Sequence, residues 1–218
     1  MKHNYEFKSI AAASMLMFAC AVTGAQRSDT EGVKETGNFV KAGEKTTRSI
    51  GEAKSQIQNT LTAYNSLVTQ PSKDMKSDYK KLLKAVKDMN DKVSDARHEV
   101  STMETLGNTY FAGRADSIKN IQDTDLRQQA HNRLDTNQTS YAGVLTSFQQ
   151  AGQSLEPLRK DLADQVTYLG SDLTPGGTAS LKTQAEKLNQ RGAEVFTKTD
   201  HALEAANSYF NSIRPTKS

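Results

Sequence analysis

The chain has 218 residues, of which 35% are hydrophobic and 6% aromatic, and it contains no Trp. These values are low for a domain with a thick globular core and suit long helices that each bury a narrow apolar stripe. The formal net charge is only +3, and acidic and basic residues alternate along the sequence. This pattern argues against a nucleic-acid-binding protein, which usually carries a basic patch.

The N-terminus has the layout of a secretory signal peptide over residues 1–25. Lys2 and Lys8 lie near the start, residues 9–19 are apolar, and small residues follow as far as Ala25. The apolar run is shorter than the ~20 residues that cross a bilayer. We therefore expect an exported, periplasmic protein whose mature chain has no transmembrane helix.

Two cleavage sites are compatible with this signal peptide. Cleavage before Gln26 would release a free protein, whereas cleavage before Cys20 would leave a cysteine for acylation at the new N-terminus. Residues 17–20 resemble a bacterial lipobox, although Phe18 is bulky where that motif has a small residue. We favour lipidation of Cys20, so that the lipid anchor is the predicted contact with an envelope membrane.

The first part of the mature chain is predicted to be a tether. Residues 26–48 are polar and contain three glycines, which favours a flexible segment ahead of a helical domain over residues 49–214. Apolar residues then recur at intervals of three and four, as in a helix. Pro71 cannot donate the amide hydrogen of a further turn, so this helix should end there, and Ser72 or Asp74 can cap the next one.

A second helix is predicted from a coiled-coil repeat. Between Met75 and Tyr110 apolar residues alternate at intervals of four and three for about five heptads, the a/d pattern that buries one continuous seam. Leu106 is one of the predicted seam residues. The helix is expected to fray near Ile121, before a polar turn at residues 122–124.

A third helix should begin near Asp125. It carries an apolar or aromatic residue at every seventh position, namely Leu134, Tyr141, Phe148, Leu155, Leu162 and Leu169. Pro157 lies within this pattern and removes one backbone hydrogen bond, yet the register continues beyond it. We therefore predict a kink near residues 153–157 and not a break.

A fourth helix follows the strongest turn signal of the chain, at residues 174–177 with the sequence Thr-Pro-Gly-Gly. Thr178 or Ser180 is expected to cap it. Short turns between long helices favour antiparallel neighbours. The predicted fold class is all-α, an elongated antiparallel coiled-coil bundle of about four long helices.

Several short patterns in these helices match those of one protein family. They are the spacing of Leu134, Thr136 and Tyr141, the run Leu155-Glu156-Pro157-Leu158, then Leu162, Asp164-Gln165-Val166 and Leu169, and the segment Ala179-Ser180-Leu181. Through them the stretch from about Gln56 to Ile213 resembles domain-of-unknown-function family 2959, which consists of uncharacterised bacterial envelope proteins. The turn at residues 170–177 and the segment before Ile50 depart from the family pattern. The resemblance implies a lipoprotein with long helices, which favours acylation of Cys20, and it implies no particular activity.

The sequence shows no recognisable catalytic chemistry. His98, His131 and His201 fall on three different predicted helices, and none has a second ligand at the spacing of a metal site. A cluster of Asp91, Asp95, His98 and Glu99 is interpreted as a solvated helix face. Motifs for nucleophilic catalysis and for phosphate or dinucleotide binding are missing. We predict no catalytic, cofactor-binding or metal-binding residues, no cofactor and no enzymatic activity.

The resulting hypothesis is a structural or interaction protein of the cell envelope, a helical rod that binds another envelope component or a second copy of itself. Asn, Thr and Gly at seam positions, where Leu would pack more strongly, motivate the expectation of a partner. A periplasmic chaperone that holds unfolded clients is the alternative. A hydrolase of the envelope is a third and weaker hypothesis, since a site assembled by the fold leaves no local motif.

Overall fold

The computed structural model describes residues 29–215, so the predictions for the signal peptide, Cys20 and Gln26 lie outside the described residues. These residues form helices and connecting turns without a strand, which confirms the predicted all-α class. The five helices are α1 (Asp29–Thr69), α2 (Met75–Lys119), α3 (Thr124–Ser171), α4 (Pro175–Ser180) and α5 (Lys182–Ile213).

The helix boundaries follow from capping residues. The carboxylate of Asp74 accepts a hydrogen bond from the Ser77 amide at 3.0 Å, which confirms the predicted cap of α2. Asp123 caps α3 in the same way, through the Leu126 amide at 2.9 Å. α3 continues through Pro157 without a break, as predicted.

The four long helices form a closed ring, in which α1 packs on α2, α2 on α3, α3 on α5, and α5 on α1. Partners along α1 and α2 occur in reverse order, because Thr46 bonds to Glu99 whereas Thr60 bonds to Ala85. The closest packing is between α1 and α2, and the loosest is between α2 and α3. We call the first contact the closed interface and the second the open seam.

Two apolar clusters fill the centre of the ring. The aliphatic cluster is formed mainly by Leu, Ile and Val side chains from Ala53 of α1 to Val195 of α5. The aromatic cluster lies at the other end of the ring and is formed around the rings of Phe39, Tyr110, Phe111, Tyr141, Tyr209 and Phe210. All six residues predicted at every seventh position of α3 are buried in one or other cluster.

The predicted tether is wrong over residues 29–48, which belong to α1. Phe39 and Val40 are 1% and 3% exposed there, and Phe39 packs against the aromatic rings of α2, α3 and α5. Gly43 has a packing role, because a Cβ at this position would lie 2.3 Å from the Phe210 ring. The glycines that indicated a tether thus include one that lets two helices approach closely.

Two further predictions are corrected by the structure. Leu106 is 39% exposed, and Gly107 takes the buried position because it faces the Tyr141 ring. The turn predicted at residues 174–177 is the start of the short helix α4, whose first turn is capped by the Thr174 hydroxyl. The predicted caps Thr178 and Ser180 lie inside α4, and α5 begins without a side-chain cap.

Candidate functional site

The open seam contains a surface cavity between α2 and α3. It measures about 470 Å³ and lies above the aromatic cluster. Its lining comes from one face of α2 and the facing side of α3, namely Asn108, Phe111, Ala112, Ala115, Gln138, Tyr141, Ala142 and Leu145. The lining is aromatic and aliphatic, with one amide from each helix.

A second cavity of about 280 Å³ lies on the same seam, toward the aliphatic cluster. Its apolar wall is formed by Val86, Met89, Leu162 and Ala163, and its polar wall by Asn90, Glu156, Arg159 and Lys160. Between the two cavities α3 presents Gly152, where a Cβ would have no neighbouring atom within 4 Å. The two cavities therefore lie along one groove, in which Gly152 leaves space on the α3 side and the Arg97–Glu156 ion pair joins the two helices.

Two tyrosines explain why α2 and α3 stay apart. Tyr79 of α2 reaches across the seam and donates to the Val166 carbonyl at 3.1 Å, and Tyr141 of α3 reaches back to the Met103 carbonyl at 3.1 Å. Each phenol thus spans the gap between its own helix and the backbone of the other. Small residues such as Ala112 and Ala142 lie on the same faces of α2 and α3. Their methyl groups are too short to fill the space between the helices that the tyrosine rings hold open.

The phenols beneath the larger cavity are held in an apolar environment. Burial raises the pKa of Tyr141, and the charge of nearby Glu104 raises it further. Burial also raises the pKa of Tyr209. Its hydroxyl is buried and has no hydrogen-bond partner among residues 29–215. A buried hydroxyl without a partner costs free energy, so the aromatic cluster contains one polar group whose hydrogen-bonding capacity is unsatisfied.

Charge is distributed unevenly along the groove. At the smaller cavity the Glu156 carboxylate accepts hydrogen bonds from both Arg97 and Arg159, and Lys160 has no carboxylate partner within the described chain. The lining of the smaller cavity contains two cations, Arg159 and Lys160, and one anion, Glu156, which gives a net charge of +1 by direct count. The lining of the larger cavity contains no charged side chain.

The histidines and acidic residues considered from sequence are not brought together. His98, His131 and His201 are exposed on α2, α3 and α5. In the predicted solvated cluster, Asp91 pairs with Lys87 at 2.5 Å and Glu99 with Lys45 at 2.8 Å. Within residues 29–215 no group of three or more His, Cys, Asp or Glu side chains is placed to share a metal ion.

Sequence reasoning missed the open seam. The alternation of threes and fours marks which residues of α2 and α3 point inward, but it gives the same signal for a tight and a loose helix pair. The only local indication was the run of small residues at Gly107, Ala112 and Ala115 opposite Tyr141 and Ala142. None of the helices in the described part of the chain is long and apolar enough to span a membrane.

The fold and this groove define an all-α protein in which four long helices surround an apolar core and leave one interhelical seam open. Residues 26–213 match the family described as "Protein of unknown function (DUF2959)". The chain therefore belongs to this family, in agreement with the resemblance found in its helices. No curated protein and no solved structure is significantly similar to it.

Proposed function

We propose that the chain is a non-catalytic interaction protein of the bacterial cell envelope, an elongated antiparallel coiled-coil rod that binds another envelope component through the open seam. The observation that carries this proposal is the groove between α2 and α3, where the ring of helices leaves two surface cavities lined mainly by aromatic and aliphatic residues. α2 and α3 have 45 and 48 residues, which corresponds to lengths of about 70 Å. A groove along such a rod suits an extended or helical partner segment.

The lining of the larger cavity supports binding in preference to catalysis. It contains apolar side chains and two amides, and no carboxylate, imidazole or thiol. General acid-base or nucleophilic chemistry needs a titratable or nucleophilic group at the reacting atoms. The Tyr141 phenol, which does line the cavity, is bonded to a backbone carbonyl, and its raised pKa keeps it protonated at neutral pH.

The proposed location is the periplasm, with the chain exported by residues 1–25 and anchored by a lipid at Cys20. Mass spectrometry of the N-terminal peptide from cells tests this directly. We expect an acylated cysteine as the first residue, and loss of the acyl group together with release from the membrane fraction in Cys20→Ser. A mature chain that begins at Gln26 would leave the rod soluble and would refute the anchor.

The partner is sought by crosslinking from the seam. A photoreactive amino acid at Asn108 or Gln138, both in the lining of the larger cavity, should give a discrete adduct in intact cells. The matched control is the same amino acid at Gln190, which is exposed on α5. Adducts from Gln190 alone, or equal adducts from all three positions, would contradict a specific role for the seam. Light scattering on the purified protein identifies the case in which the partner is a second copy.

A holdase-type chaperone is the second candidate, favoured by the aromatic cluster beneath the loosest helix contact. Separation of α2 from α3 would expose Phe111 and Tyr141, which are 6% and 4% exposed in the closed form. Aromatic side chains of this kind bind unfolded apolar segments. This candidate predicts that the protein suppresses aggregation of several unrelated unfolded clients, and no suppression with any of them would remove it.

A further inference from the structure

The groove of the open seam is polar at one end and apolar at the other, and this asymmetry restricts what fits it. Arg159 and Lys160 border the smaller cavity, whereas Leu145 and Phe111 border the larger one. Leu145 and Arg159 are separated by fourteen residues of α3, which corresponds to roughly 21 Å along the helix. The groove is therefore long and narrow, with its charge at one end.

From this arrangement we propose that the open seam binds a free single-chain amphiphile with an anionic headgroup, of the long-chain carboxylate class. The carboxylate would bind Arg159 and Lys160, and the acyl chain would run past Gly152 to the cavity above the aromatic cluster. This inference rests on the proposed role of the seam as a binding surface and adds the chemical class of ligand.

Charge complementarity fixes the orientation and the sign of the headgroup. The Arg159 side chain is 31% exposed and its guanidinium pairs with Glu156. Lys160 is exposed, so the cations outnumber the one carboxylate in the lining of the smaller cavity. Glu104 beside Tyr141 would repel an anion at the apolar end. A cationic amphiphile would meet two cations and one carboxylate at the headgroup site, and no carboxylate in the lining of the larger cavity.

The shape of the groove favours one chain over two. Gly152 has no side chain that would narrow the groove on the α3 side. The two cavities measure only about 470 and 280 Å³, which favours one acyl chain over two. The floor of the larger cavity is formed by Phe111, Tyr141 and Leu145, which offer a surface for methylene groups.

The test is calorimetric titration of the full chain with decanoate, dodecanoate and tetradecanoate, below the concentrations at which they form micelles. We expect the affinity to rise by about two- to fourfold per added methylene, as apolar burial requires. Dodecyltrimethylammonium should bind at least about tenfold more weakly than dodecanoate, because charge-assisted hydrogen bonds contribute on this scale. Equal binding of the two would overturn the proposal.

Matched variants locate the site. The double variant Arg159→Gln, Lys160→Gln should lower the affinity for dodecanoate about tenfold, while the control Lys182→Gln, Lys187→Gln on exposed α5 positions should leave it unchanged. Ala112→Phe fills the larger cavity and should abolish the dependence on chain length. Its control Ala193→Phe, on an exposed α5 position, should not. Circular dichroism confirms that each variant is folded.

Three outcomes test this inference and separate it from the proposed function. Binding to vesicles of anionic phospholipid without binding of free dodecanoate would overturn the ligand class. If dodecanoate fails to bind but crosslinks from Asn108 and Gln138 still capture a partner, the ligand is wrong and the seam remains an interaction surface. If dodecanoate binds as expected but no seam-specific adduct forms, the envelope-partner proposal is wrong.

Discussion

The closed interface and the open seam share α2, yet they are built from different contacts with the facing backbone. At the closed interface Thr46 and Thr60, each 0% exposed, donate to the carbonyls of Glu99 and Ala85 at 3.1 and 3.0 Å. At the open seam the donors to backbone carbonyls are the phenols of Tyr79 and Tyr141.

The length of the donor side chain explains the difference. A threonine hydroxyl is one atom beyond Cβ, so its hydrogen bond draws the two helix backbones together. A tyrosine hydroxyl lies beyond a whole ring, so the same type of bond holds the backbones apart. The lesson is that a hydrogen bond to a neighbouring helix can close or open an interface, depending on the side chain that makes it.

The largest expected effect comes from truncating a core leucine that lines neither cavity. Leu82→Ala removes a side chain that is 0% exposed in the aliphatic cluster and should lower the free energy of unfolding by about 2–5 kcal/mol. Leu145→Ala removes a half-buried leucine from the larger cavity and should cost less than about 1 kcal/mol, since no new enclosed cavity forms. Urea denaturation measures both, and equal losses would mean that the seam is packed like the core.

Glycine substitutions should have opposite effects on stability at the contact between α1 and α5 and at the open seam. Gly43→Ala places a Cβ 2.3 Å from the Phe210 ring, which is 2% exposed, and should destabilise the fold by about 1–3 kcal/mol. Gly152→Ala meets no atom within 4 Å and should stabilise it by about 0.5–1 kcal/mol through helix propensity. A destabilising Gly152→Ala would show that α2 occupies the middle of the groove.

The threonine bond at the closed interface is expected to have a smaller effect. Thr60→Val keeps the shape of the side chain but removes the hydroxyl, whose one proton is shared between the Gln56 carbonyl at 2.8 Å and the Ala85 carbonyl at 3.0 Å. The substitution should cost about 1 kcal/mol. The Gln56 amide also donates to the Ala85 carbonyl, at 3.3 Å, and keeps it satisfied. Urea denaturation of Thr60→Val and of the exposed control Thr62→Val compares the two positions. A loss of stability as large as that of Leu82→Ala would mean that the hydroxyl contributes more than its hydrogen bonds.

Alkaline titration of the tyrosines measures how far water reaches each buried phenol. The protonation of these phenols should not affect stability at neutral pH. Burial raises the pKa of Tyr64 from 10.0 to about 12 and raises that of Tyr141 as well. The folded protein thus retains these protons more tightly than the unfolded chain. The stability linked to Tyr64 is fully present below pH 10 and is lost as the pH rises toward 12.

Phenolate absorbance in Tyr64→Phe and Tyr141→Phe follows these two groups. Each substitution should remove one phenol that titrates above the ordinary range. If Tyr141→Phe instead removes a phenol that titrates normally, water reaches the ring through the seam.

Much of the fold could be predicted from periodicity, because the face that a helix buries is encoded in the spacing of its apolar residues. The residues from Leu134 to Leu169 at every seventh position of α3 are the clearest case. The segment around Phe39 was missed because its neighbours are polar and its aromatic partners lie on other helices. Gly107 replaced Leu106 in the core because the Tyr141 ring needs a position without a side chain.

The candidate site was less accessible to sequence reasoning. A heptad pattern identifies which residues face a neighbour, but not the distance to that neighbour. That distance depends on where Tyr79 and Tyr141 find backbone acceptors, which requires the register of α2 against α3. The charge difference between the ends of the groove likewise depends on Arg97 and Arg159 meeting at Glu156.

The most direct test of the open seam compares two alanines of α2 that are both half-buried in the structure. Ala115 lines the larger cavity, and Ala85 lies at the closed interface, where its carbonyl accepts from Thr60. In a Cys20→Ser background, Ala115→Cys should react with a small water-soluble thiol reagent at least about tenfold faster than Ala85→Cys. The two rates should become equal in denaturant. Equal rates in the native protein, or a faster reaction at position 85, would contradict an open seam between α2 and α3.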